Sequence, residues 1–313
     1  MARQIVLPLL LLTATFFTAC EEEFIPEPIN GAEQIVVEGY IEGGDRSTPP
    51  YVIVSRSFPF FSELSPDQLS ESFIRDAEVT VSDGDQTIPL TLVCLADLPE
   101  EIRNQVGNVL GVNVDSVGFD LCAYVDVSFS MMGEEGKTYD LEVKVGDEVL
   151  TATTMIPEMV PLDSLWFEQP PGEPSEIYAQ LHVFLDDPAD RANFYRYFTQ
   201  EGNEPLAAPF GSVTDDRIFN GQEFEFIMPK ATNFEDGEFD QESFGLFTQG
   251  EEATIKWMCI DEGHFNFWNT LEAAVSNQGP FSGYTRISHT INGGLGIWGG
   301  IAARYYTLPV EIK

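Results

Sequence analysis

The chain has 313 residues, 52 acidic against 15 basic, a formal net charge of −37 and 43% hydrophobic residues. Such a charge opposes binding to nucleic acid or to anionic lipid surfaces, both of which need basic patches. The apolar content is too high for a disordered chain.

Arg3 gives a short positive start, and Ile5 to Phe17 form an apolar stretch interrupted by Pro8, Thr13 and Thr15. Thr18, Ala19 and Cys20 follow. This layout predicts an export signal over residues 1–19, too short and wrongly flanked for a membrane-spanning helix. The small residues before Cys20 fit cleavage by a lipoprotein signal peptidase, which leaves Cys20 acylated at the new amino terminus. Each buried methylene adds about 0.8 kcal/mol, so two or three acyl chains hold essentially permanently. Residues 20–33 read as an acidic tether, with Glu21, Glu22 and Glu23 beside the anchor and Pro26 and Pro28 stiffening it. Acidic residues directly after a lipid-bearing cysteine resemble the surface-export tag of Bacteroidota lipoproteins. That resemblance implies an outer-membrane lipoprotein facing the cell exterior.

From Gln34 onward the apolar residues recur with period two. Val36–Ile41 and Tyr51–Ser55 are expected as strands. Ala77, Val79 and Val81 alternate with polar residues, as do Val125, Val127 and Phe129, and Tyr139, Leu141, Val143 and Val145. Asp83-Gly84 and Gly146-Asp147 sit where tight hairpins need positive φ. These short antiparallel strands predict an immunoglobulin-like β-sandwich over 34–157. Segment 95–121 is richer in helix formers and reads as an insertion, clipped at its base by a Cys94–Cys122 disulfide. Cys259 reads as a buried free thiol. The prolines at 157 and 161 end that unit.

A second domain with its own core is expected over 162–313, mainly β. Its strands are Leu165–Phe167, Ile177–Leu185, Phe194–Thr199, Gln222–Met228 and Ala253–Cys259. One helix is expected at about 265–278, with Phe267, Trp268, Leu271, Ala274 and Val275 on its apolar face and Gly279-Pro280 as its stop. Tyr284–Ile287 and Ile297–Leu308 return to β character.

No motif announces catalysis, and the chain is expected to be a non-enzyme with no cofactor and no built metal site. Gly294, Gly296 and Gly299 match G-x-G-x-x-G, but a strand-like stretch follows them instead of a helix, so they read as sites of close backbone packing. His182, His264 and His289 share no motif with a nucleophile; a hydrolase would need a polar cleft around one of them. The acidic runs Asp186–Asp190 and Asn233–Asp240 lack EF-hand spacing, so weak Ca2+ association is the most they offer. Phe58, Phe60 and Phe61 form an aperiodic aromatic loop, read either as a partner-binding contact or as a plug for one end of the sandwich.

Several landmarks in order resemble a Bacteroidota lipoprotein family known as domain of unknown function 4249. They are Gly39-Tyr40-Ile41, Pro50 to Ser57, Asp76 to Val81, Gly136 to Leu141, Ala152 to Pro157, Phe219-Asn220-Gly221 and the glycine-rich Ile291 to Gly300. The resemblance implies no activity and no ligand. It does imply a setting: a surface lipoprotein that docks on a TonB-dependent outer-membrane receptor and assists nutrient capture or uptake. A free-standing adhesion module, binding glycan or protein, is the alternative.

Overall fold

The computed structural model describes residues 33–58, 65–100, 102–103, 118–172, 174–232, 241–276 and 285–312. Cys20, Glu21, Glu22, Glu23, Phe60 and Phe61 lie outside the described residues, as does the acidic run 233–240. The chain is mainly β. In order it forms β1 (Ile35–Gly44), β2 (Thr48–Arg56), α1 (Pro66–Ser72), β3 (Glu78–Ser82), β4 (Thr87–Pro89), β5 (Thr91–Cys94) and β6 (Cys122–Val125). Then come β7 (Thr138–Val145), β8 (Glu148–Met155), β9 (Ser164–Glu168), β10 (Tyr178–Asp186), β11 (Phe194–Glu201) and β12 (Val213–Asp215). The rest are β13 (Glu223–Ile227), β14 (Phe247–Thr248), β15 (Glu252–Ile260), α2 (Glu262–Ser276) and β16 (Leu295–Pro309).

An eight-stranded sheet runs β12-β11-β15-β16-β1-β2-β6-β5, and a four-stranded sheet runs β4-β3-β7-β8. In a third, β10 is flanked by β13, β14 and β9. The alternation expected of β3 and β7 is present: Val79, Val81, Tyr139, Leu141 and Val143 are buried between polar neighbours. Gly84 and Gly146 take positive φ in the hairpins that follow β3 and β7.

The expected boundary at 157–162 does not separate two cores. β1 pairs in parallel with β16, Val36 opposite Leu295 and Ile41 opposite Gly300. One buried cluster runs from Val79 and Leu141 through Trp298 and Trp257 to Leu181 and Phe167. Residues Glu33–Ser57 and Leu64–Lys313 form one compact unit. The physical reason is that β16, as a continuous apolar strand, is buried on both faces and can pair only inside a sheet.

The glycines of the G-x-G-x-x-G stretch permit that pairing. Gly296 has φ +111°, and a Cβ there would occupy the space of the Val37 carbonyl oxygen. Just past the stretch, a Cβ on Gly300 would meet the Met155 carbonyl oxygen of β8 at 2.5 Å. Trp298, fully buried between them, crosses to the four-stranded sheet and donates from Nε1 to the Tyr139 carbonyl at 2.9 Å. Close packing is their role, as the chain order implied.

Two expected strands are not strands. After Val125 the chain turns, because the Asp126 carboxylate accepts from Ser128 N (3.0 Å), Ser128 Oγ (2.6 Å), Ser130 Oγ (3.1 Å) and Met131 N (2.9 Å). A side chain that satisfies local backbone donors competes with a ladder and wins here. Residues 285–287 are likewise outside any strand. Helix α1 went unforeseen, although Ser65 and Gln68 form a capping box with Pro66 in the first turn.

Cys94 and Cys122 are disulfide-bonded, directly opposite each other on β5 and β6. The bridge closes a loop with a sequence separation of 28, worth about 3–4 kcal/mol in the chain-entropy picture. Cys94→Ser with Cys122→Ser is therefore expected to lower the urea midpoint of the oxidised protein. Equal midpoints with and without the bridge would show that the strand pairing alone holds the loop. Cys259 is buried and free, its thiol pushed up to about 12 chiefly by burial.

Candidate functional site

The outer face of the long sheet, away from the common core, carries the most unusual chemistry among the described residues. Along β1, Val37 and Ile41 point into the core, so by strand alternation Glu38, Tyr40 and Glu42 share the other face. Tyr51 of β2 lies opposite Tyr40, with ring centroids 5.7 Å apart. Arg196 and Phe198 come from β11, Lys256 and Met258 from β15, and Ile297 and Ile301 from β16. Helix α2 packs against β16, β12 and β11.

Asp261 caps that helix, its Oδ1 accepting from the His264 amide at 2.8 Å, so the helix starts three residues earlier than expected. The side facing the sheet is also rotated from the expected one. His264 and Phe265 are buried while Val275 is exposed. His264, Trp268 and Glu272, spaced four apart, form one stripe.

The stripe meets Arg196. Its guanidinium stacks on the Trp268 ring, Cζ 3.5 Å from the centroid, with Phe198 at 4.8 Å. Its Nε donates to Ser212 Oγ at 3.2 Å, and Ser212 donates in turn to Glu272 at 2.7 Å. Arg196 is only 6% exposed, yet no carboxylate among the described residues lies at ion-pair distance from it. Burial pushes it down to about 10, with Tyr40, Glu272 and Glu38 opposing, so it remains a cation at neutral pH.

Glu38 is its counterpart. The side chain is solvent-exposed and accepts from Tyr40 Oη at 3.2 Å. Its carboxyl is nevertheless raised above the usual range, chiefly by the low-polarity surroundings, with the Tyr40 hydrogen bond and the Arg196 charge acting against this. On this sheet face Glu38 is open to water, while Tyr40, Arg196 and His264 beside it are buried. The hydroxyls of Tyr40 and Tyr51 are held protonated by burial and by Glu38. The neighbouring charges are already paired: Lys256 with Glu42, which also accepts from Tyr305 Oη at 3.2 Å.

His264 is fully buried against Tyr40, ring centroids 5.6 Å apart. A Cβ on Gly299 would lie 2.6 Å from its Nδ1, so that glycine makes its seat. Neither ring nitrogen has a hydrogen-bond partner, nor does the buried Nε1 of Trp268. Burial, then the Arg196 charge, pushes the imidazole down to about 3; the Gly300 backbone resists weakly. It is neutral at physiological pH.

The three histidines are not brought together. His182, on β10, stacks on Trp166 at 5.7 Å and sits between Glu225 (3.0 Å) and Glu168 (3.9 Å). His289 Nδ1 lies 3.1 Å from the Ile291 carbonyl oxygen. Asp187 is buried and engaged by Tyr195 Oη and the Gly221 amide. Among the described residues one group, Cys94, Asp120 and Cys122, gathers three ligand-type atoms, and its two sulfurs are tied in the disulfide. Phe58 is exposed. No described helix is long and apolar enough to cross a membrane.

Sequence reasoning missed Glu38, Tyr40, Tyr51 and Arg196. A signal existed: Arg196 is the sole charge in Phe194-Tyr195-Arg196-Tyr197-Phe198, an otherwise aromatic strand. Glu272 and His264 give no sign of facing it, since a helix period fixes spacing and not which side meets the sheet.

No curated protein matches the chain in sequence. A family model described as "Domain of unknown function (DUF4249)" does match, across residues 21–306, and the chain belongs to that family.

Proposed function

We propose that the protein is a non-enzymatic lipoprotein of the outer membrane's exterior face, an accessory subunit of a TonB-dependent receptor that assists nutrient capture. The observation that carries the capture role is this sheet face. It holds an exposed acid and a buried cation on separate strands, beside a buried, neutral histidine. Such a face is suited to holding a ligand rather than transforming it. The anchor at Cys20 and the acids Glu21, Glu22 and Glu23 support the location. Phe58, exposed ahead of Phe60 and Phe61, supports a receptor contact in that loop.

The test is a gentle-detergent pull-down from native outer membranes through a carboxy-terminal tag. A stoichiometric β-barrel receptor is expected, and Phe58→Ala with Phe60→Ala and Phe61→Ala should reduce its recovery. Recovery of the lipoprotein alone would overturn the accessory role in favour of free-standing adhesion.

A further inference from the structure

Arg196 is an anomaly in this chain. With 52 acidic residues against 15 basic ones, a buried guanidinium should find a carboxylate with ease. Lys256, Lys230 and Arg191 all do. Arg196 instead spends its Nε on a serine hydroxyl and its flat face on Trp268. Stacking uses the π face only; the in-plane donors of the two terminal nitrogens are untouched by it. They have no acceptor among the described residues, and they are not among the atoms sealed from solvent. The neighbouring Trp268 Nε1 is a further buried donor without a partner. The donors gathered here suit a carboxylate, whose two oxygens match the guanidinium fork.

On the same face Glu38 is the complementary case, an exposed carboxylate with no cation at ion-pair distance among the described residues. Tyr51, half-buried beside Tyr40, lines the same face with aromatic surface. We propose that this face binds a small zwitterion, a free α-amino acid or short peptide, with its carboxylate on Arg196 and its ammonium on Glu38. The assignment rests on the capture role above and gives it a ligand class.

The detergent-solubilised full chain would be titrated calorimetrically with three probes: the dipeptide Gly-Phe, its N-acetyl derivative and its carboxamide. Gly-Phe is expected to bind. Blocking the carboxylate, or replacing Arg196→Met, should weaken binding by about 10-fold or more, as for other charge-assisted hydrogen bonds. N-acetylation should weaken binding to the wild type and have no further effect in Glu38→Gln, whose exposed position leaves folding intact. Arg196→Lys, which retains the charge without the fork, should fall between. Equal binding of all three probes, no binding of Gly-Phe at 10 mM (about 1000-fold above a 10 μM site), or no effect of Glu38→Gln would overturn the assignment. Binding that needs the carboxylate and ignores the amine would reduce the site to an anion site and overturn it too. The receptor pull-down reads a different outcome, so a lost receptor with intact titration would sink the accessory role alone.

Discussion

Gly296→Ala is expected to cost about 3–5 kcal/mol of stability, combining the penalty of a left-handed L-residue with a collision against the Val37 carbonyl. In a chain of this size that corresponds to a fall of roughly 5–8 °C in the thermal midpoint. The clash is backbone against side chain, so no rotamer change relieves it, and the β1–β16 ladder must shift. Gly84→Ala is the matched control. Its φ is +89° but nothing lies within 4 Å of the added carbon, so it should lose only the conformational share, about 1–2 kcal/mol. Similar midpoints for the two variants would show that φ alone, and not the close approach of β1, demands glycine at 296.

The second large effect is acid lability centred on His264. In the folded protein the imidazole is pushed down to about 3, from an ordinary value of 6.5. Between those values the unfolded chain takes up a proton that the folded chain refuses. The stability is therefore whole above about pH 6.5 and declines as pH falls towards 3, by up to ~1.4 kcal/mol per pH unit from this group. Many carboxylates titrate in the same window, so the readout is the difference between wild type and His264→Phe. Urea midpoints measured at pH 7, 6, 5 and 4 should fall less steeply for the variant. Parallel curves would mean that the ring is reached by water or is charged in the fold.

Most of the strands were legible because each has one wet face. Val79 and Val81, Tyr139 to Val143, and Leu181 to Leu185 alternate as a half-buried sheet requires, and they are strands. The Cys94–Cys122 bridge and the packing role of the glycines were legible as well. What pattern could not supply was long-range pairing. Nothing in Val36–Ile41 points to Leu295–Ile301 as its neighbour, and without that pairing the chain reads as two domains in tandem. The same gap hid this grouping. Glu38 and Tyr51 stand on the consecutive strands β1 and β2, but Arg196 stands on β11, far away in sequence, and only the sheet order, with α2 laid over it, puts them on one face. Local chemistry misled at Asp126, where alternation continued on paper but a carboxylate turned the chain.

Among the described residues β16 is the one strand joining β12-β11-β15 to β1-β2-β6-β5. A chain emerging amino end first from the ribosome would expose β1, and later β15, before the strand that unites them. Both would present an open ladder edge during that interval, the arrangement most prone to pairing with a neighbouring copy. Closing so long a connection is also slow. Loss of β16 would leave two half-sheets rather than a shortened whole.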